Sequence, residues 1–259
     1  MLAQDDFTRI RIEVRDDGIA TLVLNRPEHG NAVDDAMHSE LTTVFSRARA
    51  DSRVKAVVLT GAGTTFCRGG DSSPSRTFTT ITGLAPVQEA RLIVETLLDL
   101  EKPVIAAVNG DALGLGAILA TLADVAFVAR TASIGDRHVL GGVTAGNGSA
   151  ALWPLIVGVN RAKYLLLGGE VLTADEAVGI GLAHEVVDDP VASATALAQR
   201  WARLPQFALR TTKSVLNVHL KAAAGQALEY GLALEEQAMA GPEFAAVLAG
   251  RRGNSTREN

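Results

Sequence analysis

Only one cysteine, Cys67, occurs in the 259 residues, so no intrachain disulfide can form, which fits a reducing cytoplasm. Positive charge is scarce as well: 24 Lys and Arg stand against 29 Asp and Glu, a net charge of -5 that argues against nucleic acid as a partner. The first residues, Met1 to Asp6, lack the basic and apolar regions of a secretory signal, so none is expected. The longest apolar stretch, Val104 to Ala129, is interrupted by Asn109, Asp111 and Asp124, which favours a soluble core over a membrane span. With 47% hydrophobic residues, the chain is long enough for one α/β unit with a helical appendage.

The chain is organised around the stretch from Lys102 to Asp124. Val104 to Val108 are all small or branched and apolar, the pattern of a strand buried on both faces. Asn109-Gly110 turns the chain. Gly114 and Gly116 then leave a bare backbone where a helix over Ala117 to Ala123 begins. A strand passing through glycines into a helix leaves unpaired N–H groups, which suit an anion or an oxygen that becomes anionic in a reaction. Read blandly, the same glycines serve only close packing. A second loop, Phe66-Cys67-Arg68-Gly69-Gly70-Asp71, follows a predicted strand over Val54 to Thr60. Together the two loops can bring two backbone N–H groups to one oxygen.

Elsewhere, Ile10, Ile12 and Val14 alternate with charged residues as in a half-exposed strand, and Ile19 to Leu24 returns beside it. Helical spacing predicts helices from Asp34 to about Ala50 and across Val87 to Leu98, and Val125 to Ala129 reads as a strand. Ser72 to Thr80 is polar and reads as a mobile surface loop, a lid or a plain linker. The loop from Ile134 to Ser149 concentrates Asp136, Arg137, His138 and Asn147 among five glycines, which looks like a site rather than a connector. Asp136 and Arg137 are expected to pair with each other or to cap the loop. Asn147 is expected either to orient a substrate or a water, or to hold a positive φ in a turn. Thr173-x-x-Glu176 fits a capping box. From Pro190 onward the chain reads as helix, with breaks near Pro205, Gly225 and Gly241-Pro242 and few candidate catalytic groups. Cys67 reads as packing, and His29, His38, His184 and His219 as surface or structural residues.

These motifs in this order resemble the crotonase superfamily, the enoyl-CoA hydratase/isomerase proteins. The residues that carry the resemblance are Leu24-Asn-Arg-Pro27 with Asn31-Ala32, Phe66 to Asp71, Lys102 to Gly110, Leu172 to Ala177 and Gly179-Ile-Gly-Leu182. The resemblance spans essentially the whole chain. It implies an α/β fold, a spiral of ββα units over residues 1–190, with a helical C-terminal region over 191–259 that makes a trimer or a dimer of trimers. It also implies a cytoplasmic enzyme of fatty acid metabolism acting on a small-molecule acyl-CoA, with coenzyme A entering as part of the substrate. No permanently bound cofactor, no metal, no nucleic acid and no membrane are expected.

Within that resemblance, the backbone N–H groups of Gly70 and Leu115 form the oxyanion hole, and Arg68, Asp71, Arg251 and Arg252 are the residues expected at the coenzyme A. The two glutamates of the family's hydratases would fall at Ile118 and His138, so both are missing. His138 then becomes the expected catalytic group, as a base or an acid, with Asn147 beside it. Neutral imidazole with an ordinary pKa of about 6.5 suits a base. The loop around His138 and Asn147, with Trp153-Pro154, also resembles in part the superfamily's β-diketone hydrolases such as 6-oxocamphor hydrolase. Those carry a histidine at 138, an aspartate where this chain has Asn147 and a second histidine where it has Leu115. Three functions follow from the resemblance: an acyl-CoA lyase or isomerase working through an enolate, a cofactor-independent retro-Claisen hydrolase, or an inactive paralogue that binds acyl-CoA.

Overall fold

The computed structural model describes residues 1–71 and 80–255, with side chains to residue 250. Strands β1 (Ile10–Val14) and β2 (Ile19–Leu24) form a hairpin, and α1 (Asp35–Ala50) leads into β3 (Ala56–Gly61). Helix α2 (Pro86–Asp99) precedes β4 (Val104–Val108), and β5 (Ala112–Leu113) and α3 (Leu115–Thr121) precede β6 (Val125–Ala129). Next come β7 (Ser133–Gly135), α4 (Ser149–Val157), α5 (Val159–Gly168), β8 (Val171–Thr173), α6 (Ala174–Gly179) and β9 (Glu185–Val187). Helices α7 (Pro190–Ala202), α8 (Gln206–Met239) and α9 (Pro242–Ser255) complete the described chain.

A six-stranded sheet runs in the order β1-β2-β3-β4-β6-β9. Its first pair is antiparallel and the rest are parallel. Parallel strands need cover on both faces, and every residue of β3 and β4 is buried. Val57, Leu59, Ala106 and Val108 face one way, into a core shared with Leu41 and Phe45 of α1 and Ile93 and Leu97 of α2. Val58, Ile105 and Ala107 face the other way and meet Ala194, Leu197 and Ala198 of α7. The helix beginning at Pro190 therefore covers the sheet, although it lies at the head of the expected C-terminal region. A smaller sheet, β5-β7-β8, joins the segments that carry the glycine-rich loops.

The two glycine loops are zipped together by backbone. The Cys67 N–H donates to the Asp111 carbonyl at 2.9 Å, and the Leu113 N–H to the Cys67 carbonyl at 2.8 Å. Asn109 ties the strand ends above them, donating to the Gly61 and Gly63 carbonyls. No side chain fits between the loops: a Cβ on Gly116 would lie 2.2 Å from the Cys67 carbonyl, and one on Gly110 would lie 1.9 Å from that of Thr64. Close approach thus requires these two glycines, and Cys67 is packed in the seam as expected.

Helix α8 is fastened to the core by polar anchors. Lys213 Nζ donates to Asp124 at 2.7 Å and to the Lys102 carbonyl at 2.9 Å, and Asn217 Nδ2 donates to the Leu98 carbonyl. The break expected near Gly225 does not occur, because α8 runs unbroken to Met239. One glycine in a helix costs only about 1 kcal/mol, which the packing of Ala224, Leu228 and Leu232 offsets. The breaks at Pro205 and at Gly241-Pro242 are present. The capping box also forms: the Thr173 hydroxyl accepts from the Glu176 N–H, and the Glu176 carboxylate from the Thr173 N–H. Helix α3 starts at Leu115, two residues before its expected start, which puts the Leu115 N–H in the unpaired first turn. The expected surface loop or lid lies outside the described residues for positions 72–79. Among the described residues no helix is long and apolar enough to cross a membrane.

Gly116→Ala is expected to destabilise the fold by about 1–3 kcal/mol, since the methyl must push the Cys67 strand away. Gly179→Ala, with nothing within 4 Å of the added methyl, is expected to be neutral or to stabilise by up to about 1 kcal/mol. Urea unfolding of the two variants checks the contrast.

Candidate active site

A cavity of about 300 Å³ opens beside the zipped loops, and Gly70, Leu115, His138, Asn147, His38 and Glu235 all line it. Its backbone donors arise from the chain path. Val33 donates to the Gly69 carbonyl and accepts from the Asp71 N–H, a parallel bridge centred on Gly70. In such a bridge the central residue's own N–H points away from its partner. Gly114, at φ 54° and ψ -121°, delivers the chain into α3 with the Leu115 N–H at its first turn. Among the described residues, neither the Gly70 nor the Leu115 N–H is taken up by a backbone carbonyl.

His138 stands against this pair of loops, its Cε1 lying 3.6 Å from where a Cβ on Gly114 would be. Asp136 is buried and aimed inward as β7 ends, while Arg137, next along the extended chain, is exposed. Asp136 accordingly pairs with His138, not with Arg137 as expected. Asp136 Oδ1 accepts from the His138 N–H at 3.0 Å and makes a very short contact with Nδ1 of the ring. Burial works to raise the Asp136 pKa, but the His138 charge and hydrogen bonds outweigh it and hold the carboxyl below its usual range. For His138 burial favours the neutral ring, yet the charges of Asp136 and Glu235 and the Asp136 bond raise its pKa to about 9. At neutral pH the ring is therefore a cation. That charge state suits the acid, and not the base, of the two roles expected for His138.

Asn147 lies on the other ring nitrogen, with Nδ2 at 3.1 Å from His138 Nε2. It does not take the positive φ of a turn residue. An amide N–H donates to Nε2 only when the ring is neutral; the cation needs an acceptor there instead. Asn147 Oδ1 is buried with no partner, so a half-turn of the amide would match the cation and satisfy that oxygen. Asn147 can thus hold His138 in either charge state. Glu235 Oε2 is also buried with no partner among the described residues, whereas Ser149 lies against the Asp136 carboxylate and helps hold its pKa down. Native buried polar atoms rarely stay unpaired, and Asn147 and Glu235 both line the cavity.

Two further groups were not foreseen. Glu235, on α8, is 7% exposed. Burial raises its pKa, the His138 charge opposes, and the Asp136 charge adds to the rise, leaving it at about 7. It continues the buried stripe of Ala224, Leu228 and Leu232, which is the signal that could have revealed it. The helical tail thus supplies an ionisable group to the cavity, where few were expected. His38, on α1, was read as surface or structural. Its Nδ1 lies 2.6 Å from the buried carboxylate of Glu89, which also accepts from Ser39 and Thr82. Burial works to raise the Glu89 pKa, but these bonds hold it below the usual range. The cavity therefore carries two histidine–carboxylate pairs.

Among the other expected residues, Arg68 lines the cavity mouth, with its side chain 59% exposed and 3.5 Å from Asp111. Asp71 also lines it, with its carboxylate in an ion pair with Arg26 at 3.0 Å. Arg251 and Arg252 lie in α9 and their side chains fall outside the described residues. Ile118 is buried beneath Gly148. Trp153 is a core residue whose indole N–H donates to Thr121 at 3.0 Å.

The raised His138 pKa contributes stability that is present in full below its unperturbed value of about 6.5 and is lost as pH rises through about 9. Asp136→Asn is expected to lower that pKa by about 1–3 pH units, leaving burial less opposed. NMR titration of the imidazole carbon resonances in the two proteins measures this directly.

Residues 14–245 match the family model described as enoyl-CoA hydratase/isomerase. A 1,2-epoxyphenylacetyl-CoA isomerase of Escherichia coli (strain K12) is 36% identical over 206 residues, 77% of this chain and 79% of its own. A probable enoyl-CoA hydratase of Mycobacterium tuberculosis is 34% identical over 245 residues, 90% of this chain and 94% of its own. Among solved structures, an enoyl-CoA hydratase/isomerase from Mycobacterium paratuberculosis shares 36% identity with a TM-score of 0.90, covering 95% of this chain and 99% of that one. The α/β core with its helical C-terminal region is the crotonase fold that the motifs implied. The chain belongs to the enoyl-CoA hydratase/isomerase family of the crotonase superfamily.

Proposed function

We propose that the protein is a cytoplasmic lyase or isomerase of the crotonase type, acting on an acyl-CoA thioester through an enolate. The observation that carries this reading is the pair of uncommitted backbone N–H groups, Gly70 and Leu115, on one cavity with a cationic His138. Coenzyme A enters as part of the substrate, with Arg68 at the mouth and Arg251 and Arg252 as phosphate ligands. As charge develops on the thioester oxygen, the two N–H groups hold it, and one such donor is worth about 2.7–4 kcal/mol. His138, charged and held by Asp136, lines the same cavity as the two donors. Asp136 and Asn147 hold the ring at its two nitrogens and fix its orientation.

Hydration by two glutamates does not fit this chain. Ile118 cannot carry a proton, and the other position is His138. The names of the relatives, an isomerase among them, agree with a thioester substrate. The helical C-terminal region, 191–259, leaves Phe207, Val215, Leu216 and Tyr230 exposed on α8, which supports a trimer or a dimer of trimers.

A second reading, a cofactor-independent hydrolase of a β-diketone, draws on the His38–Glu89 pair facing the same cavity. It requires no coenzyme A, so turnover without the nucleotide separates the two.

The test is hydrogen exchange at the carbon beside the thioester carbonyl. Wild-type protein is expected to exchange these hydrogens of phenylacetyl-CoA or butyryl-CoA for deuterium in D2O. Gly70→Pro deletes one donor and is expected to reduce exchange by about 10²–10³. A folded Gly70→Pro variant with the wild-type exchange rate would remove the enolate mechanism. Hydration of crotonyl-CoA is expected to stay well below the ordinary enzyme range of roughly 1–10³ s⁻¹, measured by loss of the enoyl absorbance.

A further inference from the structure

Breaking a bond from carbon to hydrogen requires a base, and the cationic His138 cannot serve. Among the described residues two carboxylates line the cavity: Asp71, which is held by Arg26, and Glu235. Glu235 is 7% exposed, and its Oε2 is buried with no hydrogen-bond partner among the described residues. Leaving a carboxylate oxygen both dry and unpaired is costly for the fold. Retention of such a group beside the backbone donors and His138 points to a role in the reaction.

The position of Glu235 is set by a backbone contact rather than by side chains alone. Helix α8 passes over the His138 loop at Gly231, whose Cβ position would lie 3.0 Å from the Cα of Gly146. A Cβ on Gly146 would in turn meet the Gly231 carbonyl at 2.1 Å and the Cβ of Glu235 at 3.0 Å. Two glycines therefore let the helix press onto the residue just before Asn147, one turn from Glu235. The carboxylate is pinned next to the loop that carries Asn147 and His138.

We infer that Glu235 is the base of this site, removing a hydrogen from the carbon next to the thioester carbonyl and returning it. This rests on the enolate reading above. In the forward step the C–H bond breaks and the proton goes to a Glu235 oxygen. The C–H electron pair forms the new C=C bond, and charge moves to the thioester oxygen held by Gly70 and Leu115. In the return step the Glu235 acid gives its proton back. Return to the same carbon is exchange; return two carbons along an unsaturated chain shifts the double bond.

The surroundings of Glu235 suit that work. Burial and the nearby Asp136 raise its pKa, against the pull of His138, to about 7, so both forms are populated at neutral pH. His38 of α1 and Arg137 line the same cavity. On α2, Arg91 is turned outward into an ion pair with Glu229 at 2.9 Å, with Glu95 beside it. Helix α4 carries no titratable side chain, and Glu243 of α9 lies near Gly142.

Deuterium exchange into phenylacetyl-CoA, followed by proton NMR across pH 5–9, tests the inference on wild type, Glu235→Gln and Glu235→Asp. Calorimetry of phenylacetyl-CoA binding and a thermal melt accompany each. Glu235→Gln keeps the shape but carries no proton. Its exchange is expected to fall by at least about 10², with binding within threefold of wild type. The wild-type rate should rise with pH through about 7, and this limb should vanish in the glutamine variant. Glu235→Asp, which withdraws the carboxylate by one methylene, should fall between them with a pH limb retained. A wild-type rate and pH profile in the folded glutamine variant would overturn the role of Glu235 and leave the enolate reading standing. Wild-type protein that neither binds nor exchanges the thioester would overturn both.

Discussion

The site depends on a backbone-to-backbone seam between the Cys67 segment and the 111–116 segment. Hydrogen bonds on both sides of Cys67 pull the two loops together, and the carbonyl of Cys67 sits where the side chain of any residue but glycine at 116 would go. Once the seam is closed, the remaining N–H directions follow. Gly70 turns away from Val33, and Leu115 opens the first turn of α3. Backbone donors placed this way need no reorganisation when charge arrives, which is the condition under which they stabilise it most. The surrounding sheet supplies rigidity, because β3 and β4 lead directly into the two loops and are packed on both faces.

A second constraint is electrostatic. Asp136 lies behind His138, which shares the cavity with Glu235; the charge of His138 acts on both carboxyls, and both act on His138. One cation and one anion satisfy each other; the third group then sits at its balance point. The arrangement gives an imidazolium that persists through neutral pH and a carboxyl that changes charge within it. Position 138, where the family's hydratases carry a glutamate by resemblance, here has the opposite charge, and an acidic group enters instead from α8.

Tertiary anchoring of α8 is therefore part of the site. Lys213 and Asn217 fasten one end of the helix to the core, and the Gly146–Gly231 contact fastens its middle. Along its 34 residues the buried positions are Lys213 and Asn217 at one end, Ala224, Leu228 and Leu232 in the middle, and Glu235 beyond them. Every displacement of α8 would be felt at Glu235.

Much of this was legible in the sequence. Val104 to Val108, followed by Asn109-Gly110 and by Gly114 and Gly116, leaves few alternatives to a buried strand, a turn and a helix start, because apolar runs and glycines constrain the backbone locally. The same holds for the Phe66 to Asp71 loop, and the dense polar loop around His138 and Asn147 lines the cavity. The pairing of Asp136 was not legible, since neighbouring residues in extended chain point to opposite sides and only the end of β7 decides which side is buried. His38 and Glu235 were not legible either: one meets Glu89 across a helix pair, and the other reaches the cavity from far along the chain. The sequence by itself determined the family and the strand–glycine–helix pattern, which rest on local conformational rules. Only the tertiary structure decided charge, for the protonation of His138 and Glu235 depends on burial and on neighbours brought together through space.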